Sequence, residues 1–233
     1  IHAALNRGDA PMVEILLEAR ADSLSRVNRE PRDSCLHLAA LRGDVTNVLL
    51  LLAHRTSPVR ADLTNDWKET PLHQACLSGS LPTVHLLLEY GCPVTWADVD
   101  GNTPLHVACS AEAVATDCGG PESSGLAVML INYKAQVDAL NSRNHTPLHI
   151  ASASGSLPVV KLLLESKAQP KFRGKHWSPL HAAAAQGQDR VYEYFLQECK
   201  AEDTQKDEYG RTPKLLLKSY KEALKKVRRR AAP

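Results

Sequence analysis

A six-residue phrase returns along this chain at a nearly fixed interval. "TPLHQA" occupies residues 70–75, "TPLHVA" 103–108, "TPLHIA" 146–151 and "SPLHAA" 178–183, with a weaker "SCLHLA" at 34–39. "IHAA" at 1–4 reads as the same phrase without its start, and "TPKLLL" at 212–217 as its degenerate end. The histidines fall at 2, 37, 73, 106, 149 and 181, spaced by 35, 36, 33, 43 and 32, and Leu215 takes the next place 34 further on. A second phrase keeps step with the first. "SGSLPTVHLLLE" at 78–89 is nearly repeated as "SGSLPVVKLLLE" at 154–165, and "GDAPMVEILLE" at 8–18 and "GDVTNVLLLLA" at 43–53 are further copies. Six to seven copies of one short unit cannot each bury an apolar face alone; stacking of neighbours has to supply the core.

Each unit reads as helix, turn, helix and a hairpin-like finger. Thr or Ser before Pro is an N-cap followed by a residue pre-set for the first helical position, so a first helix starts at each "TPLH". Gly43, Gly79, Gly155 and Gly187 end it. The second helix starts near Pro82 and Pro158 and places Val84, Leu87 and Leu88 at helical spacing. A polar stretch follows, seen best in "DVDGNTP" at 98–104, where Asp100-Gly101 is a tight-turn dipeptide.

The recurring T-P-L-H-x-A, the Gly between helices and the V-x-L-L-L second helix together resemble the ankyrin repeat, over essentially the whole chain. The resemblance implies an all-α solenoid of stacked helix-turn-helix units with projecting fingers. Its repeats are expected at about 1–31 (truncated), 32–67, 68–100, 101–143 with an insertion at 111–124, 144–175, 176–209 and a capping helix over 210–233, all in one array. In the family the fingers and first helices form a concave binding surface, and the motif histidine bridges backbone groups of neighbouring fingers.

Against that background the chemical-looking motifs lose force. His73-x-x-Cys76 and His106-x-x-Cys109 have a metal-like spacing, yet zinc wants four converging ligands and both pairs sit inside "TPLHxAC", where the resemblance makes the His structural and the Cys a small core residue. No nucleophile elbow, P-loop or HExxH motif occurs, and the pairs Asp98/Asp100 and Asp62/Asp66 read as solvated finger residues. The expectation is a binding protein with no catalysis, cofactor or metal. The six cysteines are scattered, without CxxC, which points to reduced thiols and an intracellular home, cytoplasmic or nuclear. No apolar run is long enough for a membrane span, no signal peptide is visible, and no membrane partner is expected.

Carried over residue by residue, the family's variable surface falls on Asp66, Trp67 and Glu69, on Val99, Asp100 and Asn102, on Arg143 and His145, and on Lys175, His176 and Trp177 in the fingers. At the first-helix ends it falls on Arg42, Leu77, Ser78 and Gln186. Trp and Arg favour interface hot spots; Trp67 and Trp177 either anchor a partner or cover the base of a neighbouring finger. The main reading is recognition of a partner protein. The alternative is a binder of nucleic acid or anionic lipid through the basic finger 171–177 and the basic tail, since residues 206–233 carry ten Lys/Arg against three Asp/Glu. The tail should form a helix with Leu217, Tyr220, Leu224 and Val227 on one face, capping the stack.

The wording "HWSPLHAAAAQG", the mid-array insertion and the exit "YGRTPKLLL" are similar to the ankyrin-repeat and SOCS-box proteins, substrate receptors of cullin-RING ubiquitin ligases. That likeness implies elongins B and C and a cullin as partners where a SOCS box follows; "SYKEALKKVRRR" lies where the box begins but lacks its leucine-cysteine core. The chain opens inside a unit, which reads as an atypical cap or a fragment of a longer protein. The interruption "ACSAEAVATDCGGPESSG" at 108–125 should lengthen a first helix through "SAEAVAT", turn at Gly119-Gly120-Pro121, leave Cys118 on an exposed loop and start the second helix early at "SSGLAV".

Overall fold

The computed structural model describes residues 1–19, 32–54, 59–115, 124–170 and 177–231. Among these residues lie the helices α1 (His2–Arg7), α2 (Ala10–Glu18), α3 (Cys35–Leu41), α4 (Val45–Ala53), α5 (Pro71–Ser78), α6 (Leu81–Glu89), α7 (Pro104–Ala115), α8 (Gly125–Asn132), α9 (Pro147–Ser154), α10 (Leu157–Glu165), α11 (Pro179–Ala185), α12 (Asp189–Gln197) and α13 (Pro213–Ala231). No strand occurs among the described residues. The chain divides into two compact units, residues 1–111 with 125–136, and residues 112–124 with 137–233.

In the first unit the first helices α1, α3 and α5 stack in a row, and the second helices α2, α4, α6 and α8 in another. The first-helix leucines Leu5, Leu36, Leu72 and Leu105 are fully buried, as are the second-helix residues Val13, Val48, Leu51, Val84, Leu87 and Leu130. The second unit repeats this with α9, α11 and α13 in one row and α10 beside α12 in the other, around Leu148, Leu180, Val159, Val160, Leu163, Val191 and Phe195. Layers of small aliphatic side chains do what few aromatics would do in a single core. The motif cysteines Cys35, Cys76 and Cys109 are fully buried in these layers. Cys92 is buried at a second-helix exit, where its thiol donates to the Ala61 carbonyl at 3.0 Å and burial pushes it up to about 12.

Two sequence expectations change. The insertion does lengthen its first helix: α7 has 12 residues where α5 and α9 have 8. The second helix, however, does not start early. α8 begins only at Gly125, where the absence of a side chain leaves room for Leu81 of α6: an added Cβ would lie 2.9 Å from its Cδ1. Gly119, Gly120, Pro121 and Cys118 lie outside the described residues. The tail is helical, but its apolar face is used only over its first half. Pro213 is buried, Tyr220 sits over Gly187, and Lys221 pairs with Asp189 at 2.7 Å. Leu224 and Val227 remain exposed, because α13 runs for 19 residues while α11 beneath it has 7. No described helix is long and apolar enough to cross a membrane.

The inter-helix glycines serve two purposes. Gly79 needs only its left-handed backbone, φ 77°, and has open space where a Cβ would go. Gly43, φ 65°, also receives Ser80 of the next copy, whose Cβ would lie 2.8 Å from an added Cβ and whose hydroxyl reaches the Gly43 carbonyl. Gly79→Ala should therefore cost about 1–2 kcal/mol from the backbone alone, and Gly43→Ala at least about 1 kcal/mol more from overpacking. Urea unfolding of the two variants checks the order; equal losses would remove the packing role of Gly43.

Candidate functional site

The first helices α3, α5, α7, α9 and α11 open with the same hydrogen-bonded pair of a Thr or Ser and a His. Thr70 Oγ1 lies 2.9 Å from His73 Nδ1, and the Thr70 N–H donates to that nitrogen at 3.1 Å. The imidazole thus does at the third helical position what Glu or Gln does in a capping box. Since Nδ1 accepts, Nε2 carries the proton, and it donates to the Asn102 carbonyl in the next finger at 3.0 Å. The same arrangement joins Ser34 and His37 to Glu69, Thr146 and His149 to Trp177, and Ser178 and His181 to Gln205, with Nε2–O distances of 2.9, 3.0 and 3.1 Å. With both ring nitrogens engaged, these histidines are fasteners that set finger position and offer no lone pair to a metal. Among the described residues no group of three potential ligands converges.

The fingers are built by a residue that motif reading passed over. Asn65 accepts the Trp67 and Glu69 N–H groups on its Oδ1 at 3.0 and 2.9 Å, while the Lys68 N–H reaches its carbonyl and Lys68 takes φ 58°. Asn141 does the same for Arg143 and His145, with Asn144 at φ 59°. Asp207 does so for Tyr209 and Arg211, with Gly210 at φ 74°. Asp98 accepts from the Asn102 N–H at 2.8 Å, with Gly101 at φ 77°. Asp98 is thus the brace of its turn and not simply a solvated carboxylate. Asp62, in turn, is paired with Arg60 at 2.7 Å. The signal available in the sequence was an Asn or Asp three residues before Lys, Gly, Asn or Gly, in step with the histidines.

This brace directs the intervening side chains outward. Asp66, Trp67, Val99, Asp100 and Arg143 are exposed, Trp67 by 50% and Val99 by 52%, and the Val99 N–H donates to the Trp67 carbonyl at 2.9 Å, tying two finger tips together. Asp66 also lies 3.7 Å from Arg32. Other expected positions do structural work. Glu69 turns inward, where its Oε2 accepts from Asn65 and Gln74 at 2.8 and 2.7 Å. Burial raises the pKa of its carboxyl above the ordinary carboxylate value, with Asp33 and Asp98 adding to the effect and those amide hydrogen bonds opposing it. Asn102 spends its N–H and side-chain amide on Asp98 and its carbonyl on His73. His145 is half-buried and stacks on His149, ring centroids 5.6 Å apart.

At the first-helix ends Leu77 and Gln186 are exposed. Ser78 donates to the Ala75 carbonyl, and Arg42 donates to the Asn6 carbonyl of the preceding copy at 2.8 Å. Trp177 is half-buried against His181. Lys175 and His176, with the rest of the basic finger 171–176, lie outside the described residues. Tyr209, 73% exposed, and Arg211 were missed, because the phrase that follows them is degenerate; Trp96, 46% exposed, was missed as well.

The fasteners carry a pH dependence. Burial holds His73 and His181 below the ordinary imidazole value, opposed in each by the backbone hydrogen bonds they make. In the unfolded chain these rings titrate near pH ~6.5. The unfolded state thus binds more protons just below that pH, so stability is complete above it and falls as the pH drops through the folded values. The urea midpoint should fall between pH 7.5 and 5.5, and His73→Gln, less stable at both, should show a smaller fall; an unchanged pH response would dismiss the role given to His73.

The comparisons with known proteins follow the same pattern. The family model for ankyrin repeats (3 copies) matches residues 36–118 and 122–208. A transient receptor potential cation channel subfamily A member 1 homolog of Caenorhabditis elegans is 29% identical over 84% of this chain and 15% of its own length. The putative E3 ubiquitin-protein ligase XBAT31 of Arabidopsis thaliana is 31% identical over 71% of this chain and 36% of its own. NF-kappa-B inhibitor alpha of Sus scrofa is 32% identical over 58% of this chain and 42% of its own. The chain therefore spans less than half the length of these relatives. The crystal structure of the human ASB11 ankyrin repeat domain superposes with a TM-score of 0.78 at 26% identity, covering 92% of this chain and 90% of that one. Family match, periodic fasteners and stacked helix pairs agree: the chain belongs to the ankyrin-repeat family.

Proposed function

We propose that this chain recognises a partner protein through its finger tips and first-helix ends, without chemistry of its own. The observation that carries this reading is the pair Trp67 and Val99. Both are large, half exposed, and fixed relative to one another by the hydrogen bond between their fingers. A rigid aromatic side chain held out to solvent loses little entropy when a partner covers it, which is what interface anchors require. Trp67 is not needed for the stack of its own unit, whose layers are aliphatic. An intracellular setting belongs to the same reading, since Cys35, Cys76, Cys92 and Cys109 are buried, reduced thiols that serve packing.

Likeness to the ASB11 ankyrin repeat domain supports a narrower version, in which the recognised protein is the substrate of a cullin-RING ubiquitin ligase. Affinity capture with a chain extended beyond Pro233 should then recover elongins B and C and a cullin, and their absence would remove the narrower version while leaving the broader one. For the broader one, proteomic capture with the wild-type chain and with Trp67→Ala is decisive. Trp67→Ala should weaken the captured partner about 10- to 100-fold, a loss of about 1.4–2.8 kcal/mol, with thermal unfolding little changed. Unaltered capture would exclude the Trp67 finger from the interface.

A further inference from the structure

The last finger of the second unit holds an arginine in an unusual setting. Arg211 Nε donates to Asp207 Oδ2 at 2.7 Å, and the Arg211 N–H donates to Asp207 Oδ1 at the same distance. Only 1% of the Asp207 side chain is exposed, so this anchor is firm, whereas 41% of the Arg211 side chain meets solvent. The guanidinium carbon lies 4.7 Å from the centre of the Tyr209 ring and 5.8 Å from that of Trp177. Trp177 is itself held by a tilted stack on His181, 5.6 Å between centroids, and His181 is a buried fastener. A long, flexible cation is thus fixed by one buried carboxylate and two rings.

What the clamp leaves open is informative. Nε is spent on Asp207, and among the described residues no partner reaches the two terminal nitrogens. Their N–H groups form the flat end of the guanidinium fork, whose geometry matches the two oxygens of a carboxylate. Asp207 already compensates one unit of charge, so the fork suits a singly charged planar acceptor better than a dianionic phosphate. The segment that carries Arg211 is basic overall, with ten Lys/Arg against three Asp/Glu over residues 206–233, which favours approach of an acidic partner. Tyr209, 73% exposed, and the half-buried Trp177 supply apolar walls that exclude water from such a pair.

We propose that Arg211, clamped between Tyr209 and Trp177, is the receptor for a carboxylate of an acidic peptide segment in the partner. This rests on the recognition role above and names the chemistry of one segment it takes. It also assigns work to Trp177: the ring both covers its neighbour and lines the receptor.

A displayed library of random 12-residue peptides, selected against the full chain, tests it. The selected peptides should be enriched in Asp and Glu. Their affinity should fall at least tenfold with Arg211→Lys, which keeps the charge but not the fork, and about as much with Tyr209→Ala, whose exposed side chain the fold does not need. Trp67→Ala should leave these peptides bound. Synthetic copies separate the sources of the carboxylate: amidating the C-terminus abolishes binding if the terminal carboxylate is the ligand, and Glu→Gln exchange does so if a side chain is. Acidic peptides that bind Arg211→Lys and Tyr209→Ala as well as wild type, or binders without acidic enrichment, would overturn the receptor while leaving protein recognition standing. Recovery of no peptide at all would count against both.

Discussion

In four copies a single imidazole holds the next finger in register. Its Nδ1 closes the helix N-terminus against a Thr or Ser, and its Nε2 reaches a carbonyl in the following finger, as in the 3.0 Å bond from His73 to Asn102. Buried backbone groups left unpaired cost about 1–3 kcal/mol each. The ring removes that cost at two places and makes them depend on one another. Aliphatic layers supply the attraction between copies, but they are non-directional; the imidazole fixes where the next finger begins. At the corresponding place of α13 stands Leu215, half exposed, which has no nitrogen to make such a bond.

The second constraint is the turn brace at Asn65, Asp98, Asn141 and Asp207. A side chain that takes up its own turn's N–H groups lets the finger hold its shape without packing. The residues one and two places on are then free of structural duty: Asp66 and Trp67, Val99 and Asp100, Ser142 and Arg143, Glu208 and Tyr209 are all exposed. Scaffold and surface are separated within four residues, so surface chemistry can change from finger to finger at little cost in stability.

That separation explains what could be read from the sequence. The helices were legible because Thr-Pro, the inter-helix Gly and the apolar spacing are each a local backbone requirement repeated several times. The finger braces were harder to see, because Asn and Asp alternate in the role and the left-handed position is filled by Lys68, Gly101, Asn144 and Gly210 in turn. Glu69 looked like a tip charge, yet its partners Asn65 and Gln74 draw it inward, a matter of side-chain direction that spacing does not encode. The unused half of the α13 face depends on the shortness of α11, a tertiary matter that local spacing does not carry. Tyr209 and Arg211 escaped notice for a related reason: "TPKLLL" had lost the histidine that marks a copy, so its finger was not read as one.

The two units consequently differ in the chemistry they offer. Fingers of the first unit present Asp66, Trp67, Lys68, Val99 and Asp100, whereas the last finger of the second presents Glu208, Tyr209 and the clamped Arg211 beside a basic helix. The near-neutral total of +2 conceals this division. Arg211 is costly to orient in isolation, since a free arginine carries about 2 kcal/mol of side-chain rotamer entropy. Here Asp207 and two rings have already restricted it during folding, so a partner that binds the fork meets a side chain with little freedom left to lose. The same Asp207 that braces the turn orients the guanidinium, so finger shape and recognition chemistry are set by a single buried carboxylate.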